Sequence, residues 1–111
     1  MKKQIALIIL VMGLSVGSLL AAEENKHTYK PEKGYVSEAT TAIEIAEAVL
    51  IPIYGEDKIN KEKPLIAELA GDVWIVKGTF HCPEGQTCLG GVAVIEISKD
   101  NGAILRVSHG K

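Results

Sequence analysis

The residues whose types could do chemistry are few, and most lie toward the C-terminal end. Cys82 and Cys88 bracket five residues in HCPEGQTC, with His81 beside the first of them and His109 further on. Two cysteines at that spacing form a disulfide by default in an oxidising compartment. Closing so short a loop contributes roughly 2 kcal/mol through the unfolded state. The other use of the same residues is a metal site built from His81, Cys82, Cys88 and His109, but their spacing matches no zinc ribbon or finger. A Cys82–His81 nucleophile pair fails on direction, because adjacent residues on a strand point to opposite sides. There is no GxSxG, no HExxH and no phosphate loop after a strand. Gly90-Gly91 reads as an entry into a strand rather than a phosphate cradle. The paired carboxylates Glu23-Glu24 and Glu56-Asp57 fall in charged stretches, without the burial that acid–base work requires. The expectation is therefore no catalytic residues, no metal ligands and no cofactor.

The elements that must position these residues follow from periodicity. Gly91 to His109 carries two β-branched runs around Asp100-Asn101-Gly102, a hairpin signal. A two-residue Asn101-Gly102 loop would mix apolar and polar residues on both faces. A three-residue loop with Gly102 left-handed pairs Ile97 with Leu105, Ile95 with Val107 and Glu96 with Arg106, and is preferred. A second hairpin turns at Gly71-Asp72, pairing Leu69 with Trp74 and Ala67 with Val76 on one face. On its other face Ala70 meets Val73, Glu68 meets Ile75 and Ile66 meets Lys77. Tyr35 to Gly55 reads as a helix, with Ser37 as N-cap and Gly55 as C-terminal cap. Ala39, Ala42, Ile43, Ala46, Val49, Leu50 and Ile53 recur on one helical face. Pro52 should kink or end the helix, and Ile51, off the stripe, predicts a contact other than the sheet. Glu56 to Lys63 (EDKINKEK) reads as a solvated linker.

One helix and four strands give an α+β domain, the N-terminal helix packing on one face of a curved antiparallel four-stranded sheet. The expected core sets Ala42, Ile43, Ala46 and Leu50 against Leu69, Trp74, Val76, Ile95, Ile97, Leu105 and Val107. Trp74, the single tryptophan, is read as core rather than as a binding anchor. The other sheet face is more apolar than a solvent face should be. Ile66, Val73, Ile75, Val92, Val94 and Ile104 gather there among Glu68, Lys77, Glu96 and Arg106. Either strand propensity explains this or the face is a contact surface. In the second case Ile75, Val94 and Ile104 are the partner-binding anchors, with Glu96 and Arg106 a cross-strand pair beside them.

At the N-terminus, Lys2-Lys3, the apolar run Ile5 to Leu20 and Ala21-Ala22 have the three parts of a secretory signal over residues 1–22. Ile5 to Ala22 is also just long enough for an uncleaved membrane anchor, though Gly13, Ser15, Gly17 and Ser18 weaken it. Residues 23–34 are polar and aperiodic, a flexible leader containing His27. Residues 35–111 form the single folded domain, with the protein periplasmic or secreted. Cleavage removes two lysines and no acid, leaving ten basic against fourteen acidic residues and a net charge of −4. With no basic stripe and interleaved aromatics, nucleic acid is excluded as a partner.

Three segments add a family resemblance: AIEIAEAVLIPIYGEDKI, LAGDVWIVKGTF and GGVAVIEISKDNGAILRVSHGK. They resemble the immunity proteins of nuclear transport factor 2-like (cystatin-like) fold found beside bacterial polymorphic toxins, from about Tyr35 to Lys111. The most specific parts are Ile53-Tyr54-Gly55, Asp72-Val73-Trp74, Gly91 with Ile95-Glu96-Ile97-Ser98, and His109-Gly110-Lys111. The HCPEGQTC loop departs from the pattern. The resemblance implies a cut-down version of that fold, with too few helices to close a conical pocket, and a non-enzymatic function: neutralising a cognate toxin by binding it. The alternatives are a small periplasmic ligand-binding domain, or a degenerate isomerase-like enzyme of the same fold for which Tyr54 is the candidate, or a cystatin-like peptidase inhibitor.

Overall fold

A computed structural model describes residues 27–110. The signal-peptide reading and the first four residues of the leader, 23–26, lie outside the described residues. From Pro31 onward the chain forms one compact unit. Its element order is α1 (Ala39–Tyr54), α2 (Glu56–Lys61), β1 (Ile66–Ala70), β2 (Val73–Lys77), β3 (Ala93–Ser98) and β4 (Ile104–His109). The strands form an antiparallel meander in the order β1-β2-β3-β4, and α1 packs on one face of it. No helix among the described residues is long and apolar enough to cross a membrane.

The alternation in β2 and β3 sets the two faces of the sheet. Trp74 and Val76 in β2, and Ala93, Ile95 and Ile97 in β3, are buried, while their neighbours in sequence are half-exposed or exposed. Against them α1 buries Ala42, Ala46 and Leu50, a stripe at 3.6-residue spacing. Small alanines let the helix lie close on the sheet, and Leu50 fills its far end.

The first hairpin has the expected register, from Ile66↔Lys77 through Leu69↔Trp74 to Ala70↔Val73. In the second, Ile95↔Val107 and Glu96↔Arg106 are paired as expected, but Ile97 pairs with Ile104, not Leu105. The turn is longer than three residues: Ser98 N–H donates to the Ala103 carbonyl and Gly102 N–H to Ser98. Gly102 holds the expected left-handed backbone, at φ 77°. Leu105 is left as the extra residue of a bulge and is half-exposed, so it leaves the expected core. Bulges of this kind blunt an edge strand.

Other expectations change for physical reasons. α1 starts at Ala39 with Glu38 at the N-cap and no side-chain cap, so Ser37 does not cap it. α1 includes Pro52 and ends two residues after it, at Tyr54, with Gly55 as the expected C-cap. Pro52 and Ala48 both lie on the exposed face, where water can satisfy the Ala48 carbonyl. Ile53 and Leu69 are half-exposed, not core, because each sits at the margin of the helix–sheet contact. The supposed linker contains α2, which packs back on α1 and completely buries Ile59. Gly55, at φ 100°, makes the turn between the two helices, a conformation that favours glycine.

The segment just before α1 is also tied down. Tyr35 and Val36 donate their N–H groups to the carbonyls of Asp100 and Lys99 in the β3–β4 turn, both at 3.0 Å. This places Val36 in the core, and its carbonyl accepts from Trp74 Nε1 at 2.7 Å.

Candidate functional site

Two surfaces combine shape with placed polar groups. The first is the sheet face that α1 leaves bare. Glu68, Ile75, Glu96 and Arg106 form one row across all four strands, and Ile66, Lys77, Val94 and Ser108 form the next. Ile75 and Val94 are half-buried by their cross-strand neighbours, so they present flat apolar area rather than mobile side chains. Arg106 Nη1 donates to Glu96 Oε2 at 3.4 Å. At the arginine's exposure this pair is worth about 0–1 kcal/mol and is free to exchange partners. A groove of about 270 Å³ lined by Ile66, Glu68, Ile75, Lys77, Gly78 and Thr79 runs along one side. Ile104 does not join this face as expected. The β4 bulge sets it opposite Ile97, in the row on the α1 side.

The second surface was not anticipated. A cavity of about 410 Å³ lies between α2, residues 79–81, residues 89–92 and the end of β4. At its base Glu62, only 8% exposed, bridges three elements. Its Oε1 accepts from Ala93 N–H at 2.7 Å, and its Oε2 lies 2.8 Å from His109 Nε2. His109 Nδ1 lies 2.6 Å from the Gly110 carbonyl, which can only accept, so this nitrogen carries a hydrogen. Nε2 and Glu62 Oε2 form the other hydrogen bond of the ring. The Tyr54 ring is tilted against the imidazole, with centroids 5.2 Å apart. Both ring nitrogens are therefore engaged inside the protein, and neither is presented to a bound molecule as a general base would be.

The surrounding segments are laced together. Thr79 N–H donates to the Glu62 carbonyl and Thr79 Oγ1 to the Pro64 carbonyl, both at 2.6 Å. His81 Nε2 donates to the Lys63 carbonyl at 2.7 Å. Gly91 and Gly110 approach so closely that a Cβ on Gly91 would lie 2.6 Å from Gly110 Cα. Cys82 and Cys88 are joined, Cα atoms 5.8 Å apart, in the loop that carries Leu89 to the cavity mouth. With His81 on a carbonyl, both cysteines bridged and His109 on Glu62, the residues of the alternative metal site are each committed elsewhere.

A signal for one half of this second site is present in the sequence. In β4, Val107 and His109 alternate onto the core-facing side, so a half-buried histidine followed from the pattern. Its acid partner, 47 residues away in a stretch dense with charge, carried no such mark.

The fold and its surfaces define a class: a helix-covered open antiparallel sheet whose other face carries apolar and charged residues in register. The chain belongs to the NTF2 fold immunity proteins, whose family profile matches residues 41–111. That span runs from within α1 through β4 and includes both surfaces. The chain is similar to two proteins of Escherichia coli (strain K12). It is 39% identical to uncharacterized protein YhhH over 89 residues, 79% of this chain and 65% of the relative. It is 38% identical to uncharacterized protein YbbC over 79 residues, 71% of this chain and 62% of the relative. The chain thus spans less than two thirds of the length of either relative. No solved structure matches it.

Proposed function

We propose that this protein neutralises a cognate toxin by binding it through the bare face of the sheet, after export to the periplasm or beyond. The observation that supports the reading is the composition of that face. Ile75 and Val94 form an apolar centre, with Glu68, Lys77, Glu96 and Arg106 around it in register on four paired strands. Interfaces concentrate their energy in a desolvated centre with a polar rim, and rigid strands present such a centre without an ordering cost. Residues 35–111 act in this reading as the toxin-binding domain, and residues 1–22 as the export signal.

The test is protection of cells that express the cognate toxin. Ile75→Asp and Val94→Asp should each abolish protection while the far-ultraviolet circular dichroism is retained. Each would place an unpaired carboxylate in the buried interface, a penalty of several kcal/mol. Full protection by both folded variants would defeat the proposal and move attention to Glu84-Gly85-Gln86 in the disulfide loop.

A further inference from the structure

We infer that the cavity beneath α2 is a carboxylate-binding site, taking an anion carried on an apolar body. Lys58 and Lys61 line it, three residues apart and hence on one side of α2. Among the described residues neither forms an ion pair, whereas Lys63 is matched with Glu47 and Arg106 with Glu96. The sole acid in the lining, Glu62, is already taken by Ala93 N–H and His109. The cavity therefore presents two uncompensated ammonium groups, in a chain that has more acidic than basic residues. Cations near the end of a helix complement its dipole, but that does not require them to border a cavity.

Thr79, His81 and His109 also line the cavity, and its apolar part is Phe80, Leu89 and Val92. Phe80 is 48% exposed and Leu89 is 96% exposed, held there by the disulfide loop. Two exposed apolar side chains beside two free ammonium groups match a ligand with a carboxylate at one end and an apolar body at the other. The volume, about 410 Å³, suits a molecule of one ring with a short acid arm. Such a group can come from a free organic acid or from an acidic residue of a partner protein.

The test uses isotope-labelled protein purified from its producing cells, titrated with phenylacetate and, separately, with neutral phenylacetamide. Phenylacetate should give saturable shifts at the Gly90, Gly91, Val92 and Gly110 amides, and phenylacetamide none. The double substitution Lys58→Gln, Lys61→Gln should weaken phenylacetate about tenfold or more, each factor of ten being about 1.4 kcal/mol. Equal response to the amide, an unchanged affinity in the double variant, or no saturable shift would overturn the assignment. The same variant in the protection assay separates the sources. Lost protection assigns the carboxylate to the toxin, and retained protection assigns it to a free acid. No toxin enters the titration, so its failure is distinct from failure of the sheet-face reading, which rests on Ile75 and Val94.

Discussion

Glu62 is held from two directions, and each hydrogen bond makes a different demand on it. Ala93 N–H requires an acceptor at Oε1, whereas His109 Nε2 requires only that one proton lie between the two side chains. Glutamine meets both demands: its carbonyl accepts from Ala93, and its amide donates to an imidazole that keeps its hydrogen on Nδ1. Glu62→Gln should therefore lower the unfolding free energy by about 1 kcal/mol or less. Glu62→Ala strands the Ala93 N–H and the imidazole together and should lower it by about 3–5 kcal/mol, the range for breaking a buried pair. Urea unfolding of both variants checks the contrast. Equal losses would mean that the carboxylate charge, rather than its hydrogen-bond pattern, holds the site. The neighbouring Gly78 belongs to the same packing, since a Cβ there would lie 2.6 Å from Glu62 Oε1.

The same distinction between local pattern and distant partner holds for the elements. Trp74 is buried in β2, and its indole N–H ends on the Val36 carbonyl, so it packs under the helix and also pins the segment that precedes it. Trp74→Ala should destabilise by about 3–5 kcal/mol, as large aromatic truncations do. It should also raise hydrogen exchange at the Tyr35 and Val36 amides, which lie on the strap that Trp74 holds. A loss under 1 kcal/mol in denaturant titration would remove Trp74 from the core. That core was largely readable because strands announce themselves by period-two alternation, and Trp74, Val76, Ile95 and Ile97 alternate strictly. The turn at Gly71-Asp72 fixed its register for the same reason. α2 was not readable: six residues, five of them polar, leave Ile59 as the single apolar cue. The docking of Tyr35 and Val36 was hidden as well, since their partners Asp100 and Lys99 are more than sixty residues away. The β4 bulge depends on how the edge strand twists, which pairing rules alone do not specify.

At the scale of the molecule, export and oxidation should go together, because an exported chain meets the conditions in which Cys82 and Cys88 stay joined. Intact-mass measurement of periplasmic protein, alkylated without reduction, should show cleavage after Ala21 or Ala22 and no label on either thiol. A full-length, doubly labelled species would refute both. Charge acts at the same scale. The bare face carries Glu68, Lys77, Glu96 and Arg106, two of each sign, so its own charges cancel locally. Any steering must come from the net −4 of the chain without its first 22 residues. Such a field favours encounter with a basic toxin surface and is screened over about 10 Å at 0.1 M salt. Raising salt from about 0.02 to about 0.3 M should therefore slow association severalfold, with dissociation much less affected, because the apolar centre sets how long the complex lasts. Stopped-flow mixing with the toxin measures both rates. A dissociation rate that climbs with salt as steeply as association falls would place the binding energy in the rim charges, and Ile75 and Val94 would lose their role as anchors.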